Sequence, residues 1–250
     1  MLWIADHRGL LVKNEVITKD NCLVIVPAFN EAGSIDQVLD SLIKSRLKIL
    51  VVSDGSTDDT ADIARSRNVP VLELAINLGV GGALRAGFQY ACRHDYQAVI
   101  QVDADGQHPV KSINDLILAA NELNADMVIG SRFATGLASM NINRIRRLTM
   151  YVLAWFASRA TKSTITDSTS GFRLIRQPLL GKFSQTFASN YLGDTYEAVI
   201  AAGRAGFIIQ EIPAPIQERL TGESSSTTYQ SFRQTIKVFT VALLQLHKRI

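Results

Sequence analysis

The stretch AVIQVDADGQHP, Ala98 to Pro109, runs from a core strand straight into a pair of carboxylates. Ala98 to Val102 is short, apolar and β-branched, the pattern of a buried strand, and it stops abruptly at Asp103-Ala104-Asp105-Gly106. In an extended chain residues i and i+2 share a side, so Asp103 and Asp105 converge on one ligand, and Gly106 lets the chain turn away. Carboxylates held that close repel each other unless a cation lies between them. Mg2+ and Mn2+ take hard oxygen ligands and share their shell with substrate phosphates. The stretch therefore predicts a divalent metal holding a diphosphate, with Gln107 and His108 completing the shell or its surroundings. A surface turn rich in Asp and Gly is the alternative for a lone Asp-x-Asp. The flanking sequence decides against it.

Working towards the N-terminus, Cys22 to Val26 is a second buried run. Pro27 ends its ladder, and Asn30 or Ser34 caps a helix whose apolar residues, Ile35, Val38, Leu39, Leu42 and Ile43, recur with the helical period. Lys48 to Val52 is a strand followed by the polar loop Ser53 to Thr60 and a helix over Ala61 to Arg67, opened by Thr57 or Asp58. Val69 to Leu74 is a third strand, and Met127 to Ile129 another short one. Strand, loop and helix alternate, which predicts an α/β fold with a doubly wound, mostly parallel, Rossmann-like sheet and helices on both faces. Ligands bind such sheets outside the carboxyl ends of the strands. Asn30-Glu31, Asp54 and Asp103-Asp105 all fall there, so three acidic positions are expected on one edge.

The glycines of Asn77 to Phe88, before a helix ending near Arg93, invite a dinucleotide fingerprint. Leu84 stands at its third glycine, and the stretch does not open the sheet, which argues against NAD or FAD. Close approach to a ligand or to a packed helix is the better account, with Arg85 facing phosphates. Over 250 residues, 47% hydrophobic content supports one domain with a sizeable core, and a net charge of +3 is too mild for nucleic acid. Cys22 and Cys92 lie in apolar segments without metal-ligand spacing, as buried thiols in a reducing cytosol would. Asp6, His7 and Arg8 precede any apolar run, and no apolar stretch reaches the ~18 residues of a membrane span, so a soluble or peripheral protein is expected.

PAFNE (27–31), DGSTDDT (54–60), NLGVGGALRAGF (77–88), DADGQHP (103–109), GSRF (130–133) and DSTSGFR (167–173) stand in the order and approximate spacing of the family 2 glycosyltransferases. The chain resembles that family over Cys22 to Ser226, and within it the dolichol-phosphate mannosyltransferase and polyprenyl-phosphate hexosyltransferase group. The resemblance implies the GT-A fold and inverting, metal-dependent transfer of a hexose from a nucleotide-diphosphate sugar of the GDP-mannose or UDP-glucose type. It places Pro27, Ala28, Phe29 and Glu31 in the nucleoside pocket, Asp54 on the base, and Asp103 and Ala104 by the ribose and diphosphate. Asp105 and Gln107, with Asp103, would hold Mg2+ or Mn2+. Domain limits follow: an arm over 1–21, a catalytic domain over 22–226 with a nucleotide-sugar half (22–132) and an acceptor half (133–226), and a C-terminal amphipathic helix over 227–250.

In the acceptor half three arginines, Arg144, Arg146 and Arg147, lead into the apolar TMYVLAWFASRA (149–160). Such a helix suits either the interface of an anionic membrane or a core or dimer contact. The resemblance favours the membrane and sets Arg132, Arg146 and Arg147 on the phosphate of a polyprenyl acceptor, with Asp167 and Ser170 in the acceptor motif. A lipid phosphate is already ionised, whereas a sugar hydroxyl needs a carboxylate base, for which Asp167, Asp194 or Glu197 would serve. Ile208 to Pro213 is a strand, and Arg219, Gly222 and Ser224 resemble the family's loop that closes over the diphosphate. Ser225 stands where its lysine is expected, leaving Arg219 more of the charge stabilisation. The last helix, Phe232 to Ile250, is expected to pack on the body, with pairing to another subunit or the membrane surface as alternatives.

The expected function is hexose transfer to a polyprenyl phosphate (dolichyl or undecaprenyl) at the inner, cytoplasmic membrane face. Asp105, Arg132 and Arg219 carry the chemistry, with Asp194 and Glu197 available as bases. The alternatives are transfer to a saccharide or glycolipid hydroxyl in cell-surface polysaccharide synthesis, and a catalytically silent nucleotide-sugar binder.

Overall fold

The structure, a computed structural model, describes residues 3–5, 11–13, 15–133, 144–187 and 193–214, with side chains for 15–133, 150–187 and 195–214. Strands β1 (Trp3–Ala5) and β2 (Leu11–Lys13) pair antiparallel as a separate hairpin, with Ile4 opposite Val12. The buried run becomes β3 (Cys22–Ala28), which pairs in parallel with β4 (Lys48–Ser53) on one side and with β6 (Ala98–Gln101) on the other. β5 (Val71–Glu73), shorter than the expected Val69 to Leu74, lies parallel outside β4.

β3 and β4 are largely apolar on both faces because both faces are covered. Cys22, Val24 and Val26 of β3 join a core shared with helices α1 (Ile35–Lys44), α2 (Thr60–Ser66) and α4 (Ile113–Glu122). Leu23 and Ile25 point the other way, to a core shared with α3 (Gly79–Arg93), α5 (Arg144–Thr161), α6 (Leu179–Thr186) and α7 (Gly193–Arg204). The period-2 alternation thus feeds two cores from one strand.

The glycine-rich stretch, expected to precede a helix, is the first half of α3 itself. A Cβ at Gly87 would meet Ile25 Cγ2 at 2.8 Å, so that glycine lets α3 settle directly on β3. Capping also departs from expectation. The Ser34 hydroxyl, just before α1, donates to the Glu31 carboxylate (2.8 Å) instead of accepting from the helix.

The second half of the sheet holds an element absent from the sequence reading. β7 (Met127–Ser131) pairs in parallel with the edge strand β9 (Ile209–Pro213). Between β6 and β7 lies β8 (Arg173–Arg176), antiparallel to both, giving the order β5-β4-β3-β6-β8-β7-β9. Because β8 runs backwards, the loop that leads into it reaches the same rim as the carboxyl ends of its parallel neighbours.

Candidate active site

The rim is built first from two interlaced loops. The Asp54 N–H donates to Ala28 O (2.9 Å), the Thr57 N–H to Asn30 Oδ1 (2.8 Å) and the Glu31 N–H to Thr60 Oγ1 (2.8 Å). Asn30 takes a left-handed backbone, φ 54°, to make this crossing. The buried Asp54 carboxylate accepts from the Leu78 N–H (2.8 Å) at the start of α3, which ties β4 to that helix. Pro27 and Ala28 close β3, and the Phe29 ring stands half-exposed beside them.

The next rim loop carries Asp103-Ala104-Asp105, and Gly106 turns it at φ 78°. Asp103 is held from three directions. Its Oδ1 accepts from Gln101 Nε2 (3.1 Å), its N–H donates to His108 Nδ1 (2.9 Å), and His108 Nε2 lies 3.4 Å from its Oδ2. A ring nitrogen that accepts an N–H carries no proton, so the neutral His108 is protonated on Nε2. Its ring lies against Phe172, centroids 5.1 Å apart. His108 thus supports Asp103, and its Nδ1 is turned inward. Asp105 Oδ1 accepts the Gln107 N–H (3.0 Å), and Ala104 is buried between the two carboxylates.

Among the described residues no three His, Cys, Asp or Glu side chains gather closely enough to cage a metal. Two adjacent carboxylates of hard oxygens are what Mg2+ or Mn2+ needs when most of its shell comes from substrate phosphate and water. Asp103, Asp105 and Gln107 carry oxygens of that kind and could form the protein side of such a site.

From the other half, the loop 167–172 closes against Asp103. A Cβ on Gly171 would stand 2.9 Å from Asp103 Oδ2 and from Gln101 Nε2. Arg132, just past β7, completes the wall. Its Nε donates to Asp167 Oδ2 (2.6 Å) and its Nη2 to Asp167 Oδ1 (2.8 Å) and Thr169 Oγ1 (3.0 Å), over the face of Phe133. The Asp167 side chain is fully buried. A bidentate pair of this kind fixes the guanidinium plane, and deleting one partner of a buried pair costs on the order of 3–5 kcal/mol. Burial alone would lower the Arg132 pKa. The bonded Asp167 and the charge of Asp103 more than offset it, so the pKa lies above the ordinary value and Arg132 stays cationic.

Asp103, Gln107, His108, Arg132, Ser170 and Gly171 all line one open pocket of about 110 Å³. Ser170 turns its hydroxyl inward, donating to Gly130 O (2.7 Å) and accepting from the Phe172 N–H (3.2 Å). Pro27, Ala28, Phe29, Glu31 and Asp54, at the ends of β3 and β4, do not line this pocket, and neither do Ala104, Asp105 and Asp167. Glu197 is half-buried on α7 and is not among the lining residues. Arg146, Arg147 and Asp194 fall in the first turns of α5 and α7, and their side chains lie outside the described residues, as does Arg219.

Sequence reasoning missed Gln101, Thr169 and Glu211. Gln101 had a signal, a lone amide in an otherwise apolar strand, whose burial demands a partner. Glu211 had none, since IIQEIP reads as an edge strand with a wet face.

A model of the family described as glycosyl transferase family 2 matches residues 23–183. The undecaprenyl-phosphate mannosyltransferase of Micrococcus luteus is 31% identical over 210 residues, covering 81% of this chain and 86% of that one. For the polyprenol monophosphomannose synthase of Mycolicibacterium smegmatis the identity is 32% over 213 residues, 81% and 79% of the two chains. The dolichyl-phosphate hexose transferase of Haloferax volcanii is 30% identical over 205 residues, 81% and 85%. Glucosyl-3-phosphoglycerate synthase from Mycobacterium tuberculosis, solved with Mn2+, uridine diphosphate and phosphoglyceric acid, superposes with a TM-score of 0.69 at 20% identity, over 92% of this chain and 79% of that one. Mannosyl-3-phosphoglycerate synthase from Rubrobacter xylanophilus gives 0.68 at 17%, over 90% and 72%. At these identities the likeness is one of fold, and the fold is the GT-A fold.

Proposed function

The chain belongs to glycosyl transferase family 2 and is a glycosyltransferase, and we propose that it moves a hexose from a nucleotide-diphosphate sugar to the phosphate of a polyprenyl phosphate. The observation that carries this reading is Arg132, a cation fixed by a buried carboxylate and facing the same pocket as Asp103. A fixed guanidinium suits a phosphate far better than a sugar hydroxyl. The names of three relatives, each acting on a polyprenyl or dolichyl phosphate, support the same acceptor.

In this reading an anionic oxygen of the acceptor phosphate forms the new bond to the anomeric carbon. The bond from that carbon to the donor's diphosphate breaks with inversion, and its electron pair leaves with the nucleoside diphosphate. The nucleophile carries no proton to remove, so Asp194 and Glu197 are not needed as bases. Asp103, Asp105 and Gln107 would hold Mg2+ or Mn2+, which would neutralise charge on the departing diphosphate. Arg132 holds the acceptor phosphate, aided by Arg146 and Arg147, while Arg219 adds positive charge on the leaving side. Pro27, Ala28, Phe29, Glu31 and Asp54 receive the nucleoside, Ala104 sits by the diphosphate, and Asp167 and Ser170 shape the acceptor wall.

No helix among the described residues is long and apolar enough to cross a membrane. The exposed stripe Tyr151, Trp155 and Arg159 on α5, with Arg159 6.0 Å from the Trp155 ring centre, supports contact with the cytoplasmic membrane surface where the lipid acceptor resides.

The test is a panel of labelled nucleotide-diphosphate sugars with Mn2+ or Mg2+, with and without undecaprenyl phosphate, followed into butanol. Label in the butanol phase that disappears with EDTA is expected. Donor turnover without butanol label would overturn the lipid acceptor in favour of a saccharide hydroxyl.

A further inference from the structure

We propose that Glu211, on the edge strand β9, is a positioning residue that sets the geometry of Arg132 without touching any substrate. Its Oε2 accepts the N–H groups of both Thr166 (2.7 Å) and Asp167 (2.9 Å), and its Oε1 accepts the Thr166 hydroxyl. The same hydroxyl contacts Ser131 Oγ at 3.0 Å, at the end of β7. One carboxylate thus pins the backbone of the two residues that deliver Asp167, and Asp167 in turn grips Arg132 through its Nε, its Nη2 and its backbone N–H (3.1 Å). Arg132 Nη1 makes no hydrogen bond among the described residues, and the guanidinium lines the pocket.

The arrangement is more than a turn held to a strand. β9 pairs with β7 in register, Ile129 opposite Glu211 and Ser131 opposite Pro213, so the edge strand that carries Glu211 also fixes the strand that ends at Arg132. Both partners of the Arg132–Asp167 pair are therefore referenced to β9, one through the ladder and the other through Glu211. A bidentate pair tolerates little displacement. Were Asp167 to shift, the guanidinium would swing with it, away from the face of Phe133.

A glutamine separates geometry from charge. Its amide oxygen can accept the two N–H groups, and the Thr166 hydroxyl can accept from its amide nitrogen, since a hydroxyl serves as donor or acceptor. Glu211→Gln should preserve the position of Arg132, and Glu211→Ala should lose it. Glu211→Asp, one methylene too short to reach both N–H groups, asks the same question should the alanine variant fail to fold.

The primary readout needs no substrate. In ligand-free protein carrying 15N-arginine, the Arg132 Nε–H resonance, assigned by its loss in Arg132→Lys, should be sharp and protected from exchange. It should broaden or vanish in Glu211→Ala and Glu211→Asp and return in Glu211→Gln. An unmoved resonance in the alanine and aspartate variants, or a glutamine variant as impaired as they are, overturns the proposal. The kinetic corollary rests on the function proposed above: Glu211→Ala should raise the acceptor KM on the order of tenfold with the donor KM unchanged. Failure of the wild type to label undecaprenyl phosphate would sink that function, while the resonance still decides the role of Glu211.

Discussion

Asp103 leaves no room for a side chain at residue 171. A Cβ there would press on its Oδ2 and on Gln101 Nε2, each at 2.9 Å, and on Oδ1 at 3.2 Å. Gly171→Ala must turn the carboxylate, because Gln101 lies in a buried strand and cannot retreat. Overpacking of this sort destabilises by about 1–3 kcal/mol. The sharper effect is expected on donor binding, a loss on the order of tenfold in affinity for nucleoside diphosphate with Mn2+ by calorimetry. Unchanged affinity would show that Asp103 has slack or does not face the donor. At this scale the sequence told half the story. Asp103 and Asp105 announce themselves because two carboxylates at a strand end need a reason. Gly171 and Glu211 do not, because their work lies in what approaches them from 68 and 44 residues away.

Among the elements, α5 answers a question that its sequence left open. Its apolar residues ring the helix, so periodicity could not say which side was buried. The helix buries Leu153 and Ala157 in the core and presents Tyr151 (54% exposed) and Trp155 (58%) one turn apart, so its core role is met on one side and the proposed membrane contact has the other side to use. Replacing both aromatics by serine should release the protein from vesicles of anionic lipid, measured by flotation, with a stability change within about 0.5 kcal/mol. Leu153→Ala should do the reverse, costing about 2–5 kcal/mol in chemical unfolding while intact protein still binds. Retention of the serine variant on vesicles would remove the stripe from the membrane contact. β8 was illegible for a different reason. RLIR carries two arginines, and arginine is rarely buried unless paired. Here Arg173 (1% exposed) donates to Ser170 O and Thr195 O, and Arg176 (4%) to Ala120 O and Glu15 O, so four backbone carbonyls hide the charges that disguised the strand.

For the molecule as a whole, the parallel βαβ half could be read because each of its units is local in sequence. The order of the second half could not, since it depends on a strand inserted from afar. The segment before β3 is likewise held by distant partners. The Asn121 side chain both accepts the Ile17 N–H (2.9 Å) and donates to Ile17 O (2.9 Å), so a side-chain amide completes a ladder the backbone lacks. Asn121→Ala strands both groups beside the buried Ile17 side chain and should cost about 1–3 kcal/mol, with faster hydrogen exchange at residue 17. Normal exchange there would show that the segment is secured by other means. The position of β8 has a consequence for assembly. β6 ends at the carboxylates and β7 at the guanidinium, yet the two strands are not neighbours: they meet only through β8, which leaves the chain after both. The two halves of the site are strangers until that inserted strand is seated between them, so the pocket is expected to form only after residues 173–176 have joined the sheet.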